Sequence, residues 1–358
     1  MKNIFFSIVI ISFLFLLWGC PGSIHKPYDY DAYFPTAPVN FGYVNSPYDD
    51  YNSILPEFHF GKHLIFSSNR ATTGGDFSFV HDNFHVTWYM ETSELVVDND
   101  YLGDGPVIAQ MISKVNWEGN EFGPYFIRYE VFNGDNYNVM NFLAYATNNT
   151  EETYHEEFIY TIADNNNAEA TIYGPFRVPF LTDSPRQQYI SFYGPDILTI
   201  DRWELNPDLF TAMYFDADEN GQADIYKIDI PEDKNFIGFL SDSADYPKQK
   251  IDRLSSPADD RCPFINGHYM VFTSNRPGGF GGYDLYFSRF DGQSWSEPIN
   301  FGENINTEYD EFRPVAMQVD EFKNDVMIFS SNRPGGKGGF DLYYVGIDKI
   351  TPPNMVIN

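Results

Sequence analysis

The stretch Phe272-Thr273-Ser274-Asn275-Arg276-Pro277-Gly278-Gly279-Phe280-Gly281-Gly282-Tyr283-Asp284-Leu285-Tyr286-Phe287 returns almost unchanged at Phe329 to Tyr344, as FSSNRPGGKGGFDLYY. Each copy is an apolar run ending in Ser-Asn-Arg, then a Gly-rich reversal, then Asp followed by alternating apolar and aromatic residues. That order spells strand, tight turn, strand. A hairpin repeated at a fixed period builds a ring or a stack rather than one undivided core.

Weaker copies run from His63 to Arg70 with Gly74 to Phe79, from Phe142 to Asn149 with Glu157 to Tyr160, and from Ala212 to Phe215 with Asp224 to Ile228. Short segments, often with Pro, precede the hairpins: Leu55-Pro56-Glu57-Phe58, Gly123-Pro124-Tyr125-Phe126, Tyr189 to Phe192, Cys262-Pro263-Phe264 and Arg313-Pro314-Val315. One strand before each hairpin, two within it and one after give four strands per unit. Such units arranged radially are propeller blades, which leave few exposed edges.

The repeat anchors Ser67, Ala146, Asp216, Thr273 and Ser330 lie 79, 70, 57 and 57 positions apart. The expectation is an all-β propeller of five four-stranded blades. A sixth blade hidden between Phe84 and Val115, where His85 to Val97 looks strand-like, is the alternative. The linker string Pro298-Ile299-Asn300-Phe301-Gly302 has an early counterpart in Pro38-Val39-Asn40-Phe41-Gly42, which precedes every hairpin. An N-terminal strand that completes the last blade explains that counterpart. The expected organisation is a leader at 1–19, a tether at 20–37, the propeller at 38–350 and a tail at 351–358.

Composition agrees with an all-β fold. Aromatics reach 18%, with 27 Gly and 23 Pro, and helix-period segments are missing after the leader. Fifty-one acidic against 22 basic residues give a net charge of −29. That charge repels phosphate backbones, so no nucleic acid partner is expected.

Lys2 and the apolar run Ile4 to Trp18 have the length of a secretory signal and fall short of the roughly 20 residues that span a bilayer. The ending Leu17-Trp18-Gly19-Cys20 resembles the lipobox of bacterial lipoproteins, in which the residue matching Cys20 carries the lipid. An ordinary cleaved signal with an incidental Cys is the competing reading. Lipidation leaves Cys262 without a disulfide partner, and a packing thiol is expected there.

The Ser-Asn-Arg-Pro-Gly-Gly-x-Gly-Gly-x-Asp-Leu-Tyr string, with Trp295-Ser296-Glu297-Pro298 in its linker, resembles the WD40-like propeller repeats related to those of TolB. The resemblance implies a docking module, and it implies an outer-membrane lipoprotein on the periplasmic face or the cell surface.

The repeat residues Ser68, Asn69, Arg70, Asp76, Ser274, Asn275, Arg276, Asp284, Ser331, Asn332, Arg333 and Asp341 are read as structural. A phosphate-cradling Gly loop opens a helix, and here a strand follows. Gly supplies positive φ, while Ser, Asn and Asp satisfy turn amides.

Asp216, Asp218, Asn220, Gln222 and Asp224 alternate oxygen ligands around Gly221, as in a calcium loop. Lys227 stands where the bidentate Glu belongs, and an ordinary Asp-rich turn is the competing reading. Calcium is therefore the one cofactor under consideration. No carboxylate spacing selects a catalytic pair, although Glu57 and Glu311 border the expected funnel. No His spacing suggests zinc.

Tyr48, Tyr51, Trp295 and Tyr309 form a candidate glycan or peptide platform if they are not consumed by packing. A non-enzymatic, lipid-anchored scaffold for an envelope protein partner is the leading expectation. A carbohydrate-binding or glycoside-hydrolase-like propeller is the alternative, and a calcium-stabilised envelope protein is a third reading.

Overall fold

The computed structural model describes residues 31–350 apart from 56–61, 90–93, 99–104, 118, 134–135, 150, 165–169, 195–204, 220 and 320. The leader, Cys20, Glu57 and Asn220 lie outside the described residues.

The chain opens with β1 (Val39–Asn40). Blade one then contains β2 (Asp50–Ile54), β3 (Lys62–Ser68), β4 (Ser78–Tyr89) and β5 (Glu94–Asp98). After α1 (Gly105–Val115), blade two contains β6 (Glu121–Asn133), β7 (Asn136–Thr147), β8 (His155–Asp164) and β9 (Ala170–Arg177). Blade three contains β10 (Ile190–Tyr193), β11 (Ala212–Glu219), β12 (Gln222–Asp229), then α2 (Phe236–Leu240) and β13 (Gln249–Lys250). Blade four is β14 (Asp260–Asn266), β15 (Tyr269–Ser274), β16 (Asp284–Arg289) and β17 (Ile299–Asn300). Blade five is β18 (Glu311–Met317), β19 (Asp325–Ser331) and β20 (Asp341–Ile347), with β1 as its outer strand. The molecule is a propeller of five antiparallel four-stranded blades.

Blade faces stack on one another, so in blades four and five the two inner strands are buried on both sides. Every residue of β14, β15, β18 and β19 is buried. This is why these strands read as apolar runs instead of alternating.

The long first interval holds no sixth blade. Instead β4 continues to Tyr89 and pairs with β5, and α1 follows. The helix was not expected from composition, yet Ile108, Met111, Ile112 and Val115 recur at helical spacing and are buried.

The innermost strand of blade one is also displaced from its expected place. It is Asp50–Ile54 rather than Leu55 to Phe58. Asn52, not Leu55, is the counterpart of Gly123, Cys262 and Arg313. All four share a left-handed backbone, with φ of 55°, 59°, 55° and 50°. Each lies where the register shifts in a β-bulge.

The ring closes at two places. Val39 pairs with Tyr344 and Asn40 with Tyr343. Beside that seam, the backbone N–H of Phe340 donates to Asp49 Oδ1 at 2.8 Å. The same bond joins other neighbouring blades: Phe77 to Asn120 at 2.9 Å, Ala223 to Asp259 at 2.8 Å and Tyr283 to Asp310 at 2.9 Å. Two glycines permit this approach. A Cβ on Gly281 would collide with the Thr307 carbonyl, and one on Gly338 with the Tyr48 carbonyl. Gly338→Ala is therefore expected to destabilise the domain by about 2 kcal/mol or more, measured by chemical denaturation. Gly42→Ala, which meets only Asn40 Oδ1 at 3.8 Å, is expected to stay within about 0.5 kcal/mol of the parent.

Candidate functional site: the ring axis and its buried carboxylates

Ser-Asn-Arg acts as a latch on the first residue of the innermost strand. Ser68, Ser274 and Ser331 donate their hydroxyls to Asp50, Asp260 and Glu311 at 2.7, 2.6 and 3.1 Å. Arg70, Arg276 and Arg333 pair with the same three acids at 2.5, 2.5 and 2.9 Å. Each guanidinium also donates to a carbonyl six residues before its acid, those of Val44, Leu254 and Ile305, at 2.7 Å in every case. Each lies over an aromatic ring as well: Phe66, Phe272 or Phe329. The Asn side chains accept from the backbone N–H of Asp49, Asp259 and Asp310 at 2.8–2.9 Å.

Asp284 accepts from the turn amides of Phe280 and Gly281, and Asp341 from those of Lys337 and Gly338. Asn300 and Asn40 close these caps at 2.9 and 3.0 Å. Asp76 does not belong to this set. Ser78 pairs with Ser68 as Asp284 pairs with Ser274, so Ser78 is the true counterpart and Asp76 is exposed in the turn.

The axis is plugged. Tyr189 lies against Gly123, where no Cβ would fit, and its hydroxyl accepts from Asn52 Nδ2 at 3.1 Å. Arg313 is wholly buried beside that ring, with its guanidinium 5.4 Å from the ring centre and Nη2 donating to the Pro124 carbonyl at 3.1 Å. Arg261 lies 5.5 Å from the Tyr189 centre and pairs with buried Asp216 at 2.9 Å. Burial pushes the Asp216 carboxyl up even against that guanidinium. Cys262 is fully buried and its thiol is pushed well up by burial, which suits the packing role.

Toward the C-terminal ends of the innermost strands lies a cavity of about 30 Å³, lined by residues including Ile54, Tyr125, Phe192 and Phe264. It has room for about one water and not for a sugar.

The opposite end of the axis carries a floor of rings. Phe77, Tyr154, Tyr283 and Phe340 each precede the third strand of a blade, and each is half-buried. Phe77 and Phe340 lie 6.4 and 5.0 Å from Tyr51, Tyr154 lies 6.1 Å from Phe122, and Tyr283 lies 5.2 Å from Phe312. Tyr51 and Phe312 stack at 5.4 Å between them. At the rim, Asp259 receives the Tyr283 hydroxyl at 2.8 Å and Arg186 Nη1 at 2.6 Å. Burial works against the Asp259 charge, but Arg186, the Ala223 amide and Tyr283 outweigh it and hold the carboxyl below its usual range. Sequence reasoning named only Tyr51 of these rings. Trp295 is buried, its indole N–H donating to the Tyr214 hydroxyl at 3.2 Å, whereas Tyr48 is half-buried and Tyr309 exposed.

The calcium-loop carboxylates point to separate cations. Asp216 pairs with Arg261, Asp218 with Arg186 and Asp224 with Lys250, while Gln222 donates to the Ser256 carbonyl. Among the described residues no group of three or more His, Cys, Asp or Glu side chains is arranged to hold a metal. Among them, too, no helix is long and apolar enough to cross a membrane.

No protein-family model and no curated protein matches this sequence. Among solved structures, the complex of BT0996 with RGII is 10% identical, with a TM-score of 0.50, over 90% of this protein and 94% of that one. A glycosyl hydrolase from Bacteroides ovatus is 11% identical, with a TM-score of 0.43, over 92% and 98%. TolB from Acinetobacter baumannii is 14% identical, with a TM-score of 0.29, over 84% and 68%. These likenesses concern the fold.

Two expectations are corrected. The likeness to WD40 repeats is not upheld, since the ring has five blades. The non-enzymatic expectation is likewise not upheld: the solved structures matched include ones named as glycosyl or glycoside hydrolases, and the likeness to them is one of fold.

Among the described residues, two of the three buried glutamates, Glu121 and Glu156, lack the arginine that Glu311 has. Burial raises Glu121 from its ordinary 4.5 to about 8, helped by Asp76 and Glu157. It raises Glu156 to about 8 as well, helped by Asp216 and opposed by the Gln188 amide. Both carboxyls are protonated in the folded chain where the unfolded chain is already ionised. Folding therefore takes up protons between about pH 4.5 and 8, and stability falls as pH rises through that window. Glu156→Gln is expected to flatten this decline, read as the difference in denaturation midpoint between pH 5.5 and pH 8. An unchanged slope would rule out a protonated Glu156.

Proposed function

We propose that the protein is a carbohydrate-recognising propeller whose ligand stacks on the axial aromatic floor. The observation that carries this reading is the convergence of Phe77, Tyr154, Tyr283 and Phe340, one from each of four blades, as half-buried rings around a plugged axis. Flat apolar faces beside fixed polar groups suit sugar rings, which present C–H faces and hydroxyl edges. Arg186 and Asp259 supply donors and acceptors at the rim. The net charge of −29 disfavours polymers rich in uronic acid and points to neutral glycans.

Binding is tested on a glycan array with the full-length protein, alongside release of reducing ends from any bound polymer. Tyr154→Ala and Tyr283→Ala are each expected to weaken binding of a neutral glycan about tenfold, roughly 1.4 kcal/mol, without a comparable loss of thermal stability. An array with no bound glycan, or binding that both variants retain in full, would sink the reading.

The domain is further proposed to be held at a bacterial outer membrane by lipid on Cys20, on the strength of the Leu17-Trp18-Gly19-Cys20 ending. Two acyl chains give the stable anchoring that one does not. Labelling of expressing cells with radioactive palmitate is expected to mark the protein and to be lost in Cys20→Ser. Equal labelling of parent and variant, or of neither, removes the proposal.

A further inference from the structure

Blade two departs from the latch at three positions. The residue in the place of Arg70, Arg276 and Arg333 is Asn149, and Thr147 replaces Ser. Glu157 replaces the ring that Tyr286 or Tyr343 provides beside the guanidinium. Part of the guanidinium environment is kept. Glu121 still opens the innermost strand opposite Thr147, and Val115 still lies six residues before it. Tyr145 stands where Phe66, Phe272 and Phe329 lie beneath the arginines. The cation has gone, and a second acid has been added.

The local contacts leave the acid waiting. Glu121 is 1% exposed, and its Oε1 has no hydrogen-bond partner. The Thr147 hydroxyl donates to Asn149 Oδ1 at 3.3 Å instead of to the acid. Asn149 itself is exposed, and its Nδ2 reaches His155 and Glu157 only at 3.5 Å. Glu157 receives Tyr145 at 2.7 Å and pairs with His155 at 3.2 Å. A metal does not suit the site, because no three ligating groups converge among the described residues.

We propose that this place between blades one and two binds a guanidinium group supplied from outside the chain, stacked on Tyr145 and shared between Glu121 and Glu157. Three sister blades hold their own arginine in the same setting, which gives the group its dimensions. A planar guanidinium can bond two carboxylates at once, as a lysine ammonium cannot with the same geometry.

The groups acting on Glu121 are Asp76 from blade one together with Glu157 and Tyr145 from blade two, and His155 joins them through Glu157. Burial works against Glu157, but bonds from His155 and Tyr145 hold it ionised. Glu121 is protonated when the place is empty, so binding the cation expels that proton. Affinity therefore rises with pH up to about 8. The inference is independent of the glycan reading.

The test is calorimetric titration of the full-length protein with N-acetyl-arginine amide, free arginine and N-acetyl-lysine amide. The arginine amide is expected to bind at least tenfold tighter than the lysine amide and to release a proton at pH 7. Glu121→Gln is expected to lose at least tenfold. Asn149→Arg is expected to abolish binding by filling the place from within, and to raise Tm by several degrees. Free arginine binding as tightly as the amide assigns the group to a small molecule, and binding of the amide alone assigns it to a polypeptide side chain. Equal binding of arginine and lysine amides, no binding of either, or an Asn149→Arg variant no more stable than its parent overturns the proposal.

Discussion

Each strong blade depends on one buried carboxylate at the mouth of its innermost strand. Asp50, Asp260 and Glu311 are essentially inaccessible to solvent, and an ionised carboxyl there would be ruinous without a cation and hydroxyl to meet it. Ser-Asn-Arg supplies both, and its Asn fixes the preceding backbone. The motif thus neutralises the charge, orients the strand and places the next residue inward in a single step. The Gly-rich reversal then lets the turn lie against the neighbouring blade, where one backbone N–H finds a side-chain acceptor. Blade geometry and ring geometry are consequently set by the same few residues.

The middle blades keep the architecture with other means. In blade three the latch is gone altogether: Asp216 is met by Arg261 from blade four, so an ion pair crosses between blades instead of staying within one. Tyr189 takes the place where three other blades have a left-handed non-glycine residue and blade two has Gly123. Its bulk fills the space that the missing Cβ of Gly123 leaves. Each of these two departures from the repeat is met by a change in a neighbouring blade. Such compensation marks positions that work together, and it is where recognition chemistry is most economically added.

Much of the fold was legible because it is periodic. The early string Pro38 to Gly42 reads as a displaced linker, and Asn40 duly performs for Asp341 what Asn300 performs for Asp284. The misplacement of the first innermost strand has a simple cause. Pro marks that strand in blades two, four and five, but Ser53 holds the position in blade one, and Pro56 drew the boundary late. Asp76 was misassigned because the turn of blade one is built around Arg70 to Gly75 and has different spacing. The aromatic floor was invisible for a deeper reason. Phe77, Tyr154, Tyr283 and Phe340 look like ordinary strand-edge aromatics, and only closure of the ring brings four distant blades to one axis. The unpaired state of Glu121, by contrast, could have been read from Asn149 standing where arginine was due.

The seam between β1 and β20 also has a kinetic meaning. Its bonds join residues about 300 positions apart, as in Asn40 to Asp341 and Phe340 to Asp49. Contacts of such separation form late, because the entropy of bringing the ends together must be met before they contribute. Until they form, β20 presents an open edge and β1 has no strand to pair with, and open edges invite pairing with other chains. The polar, glycine-rich surfaces that finally meet there are poor templates for such mispairing, so the same turns that lock the finished ring also guard the unfinished one.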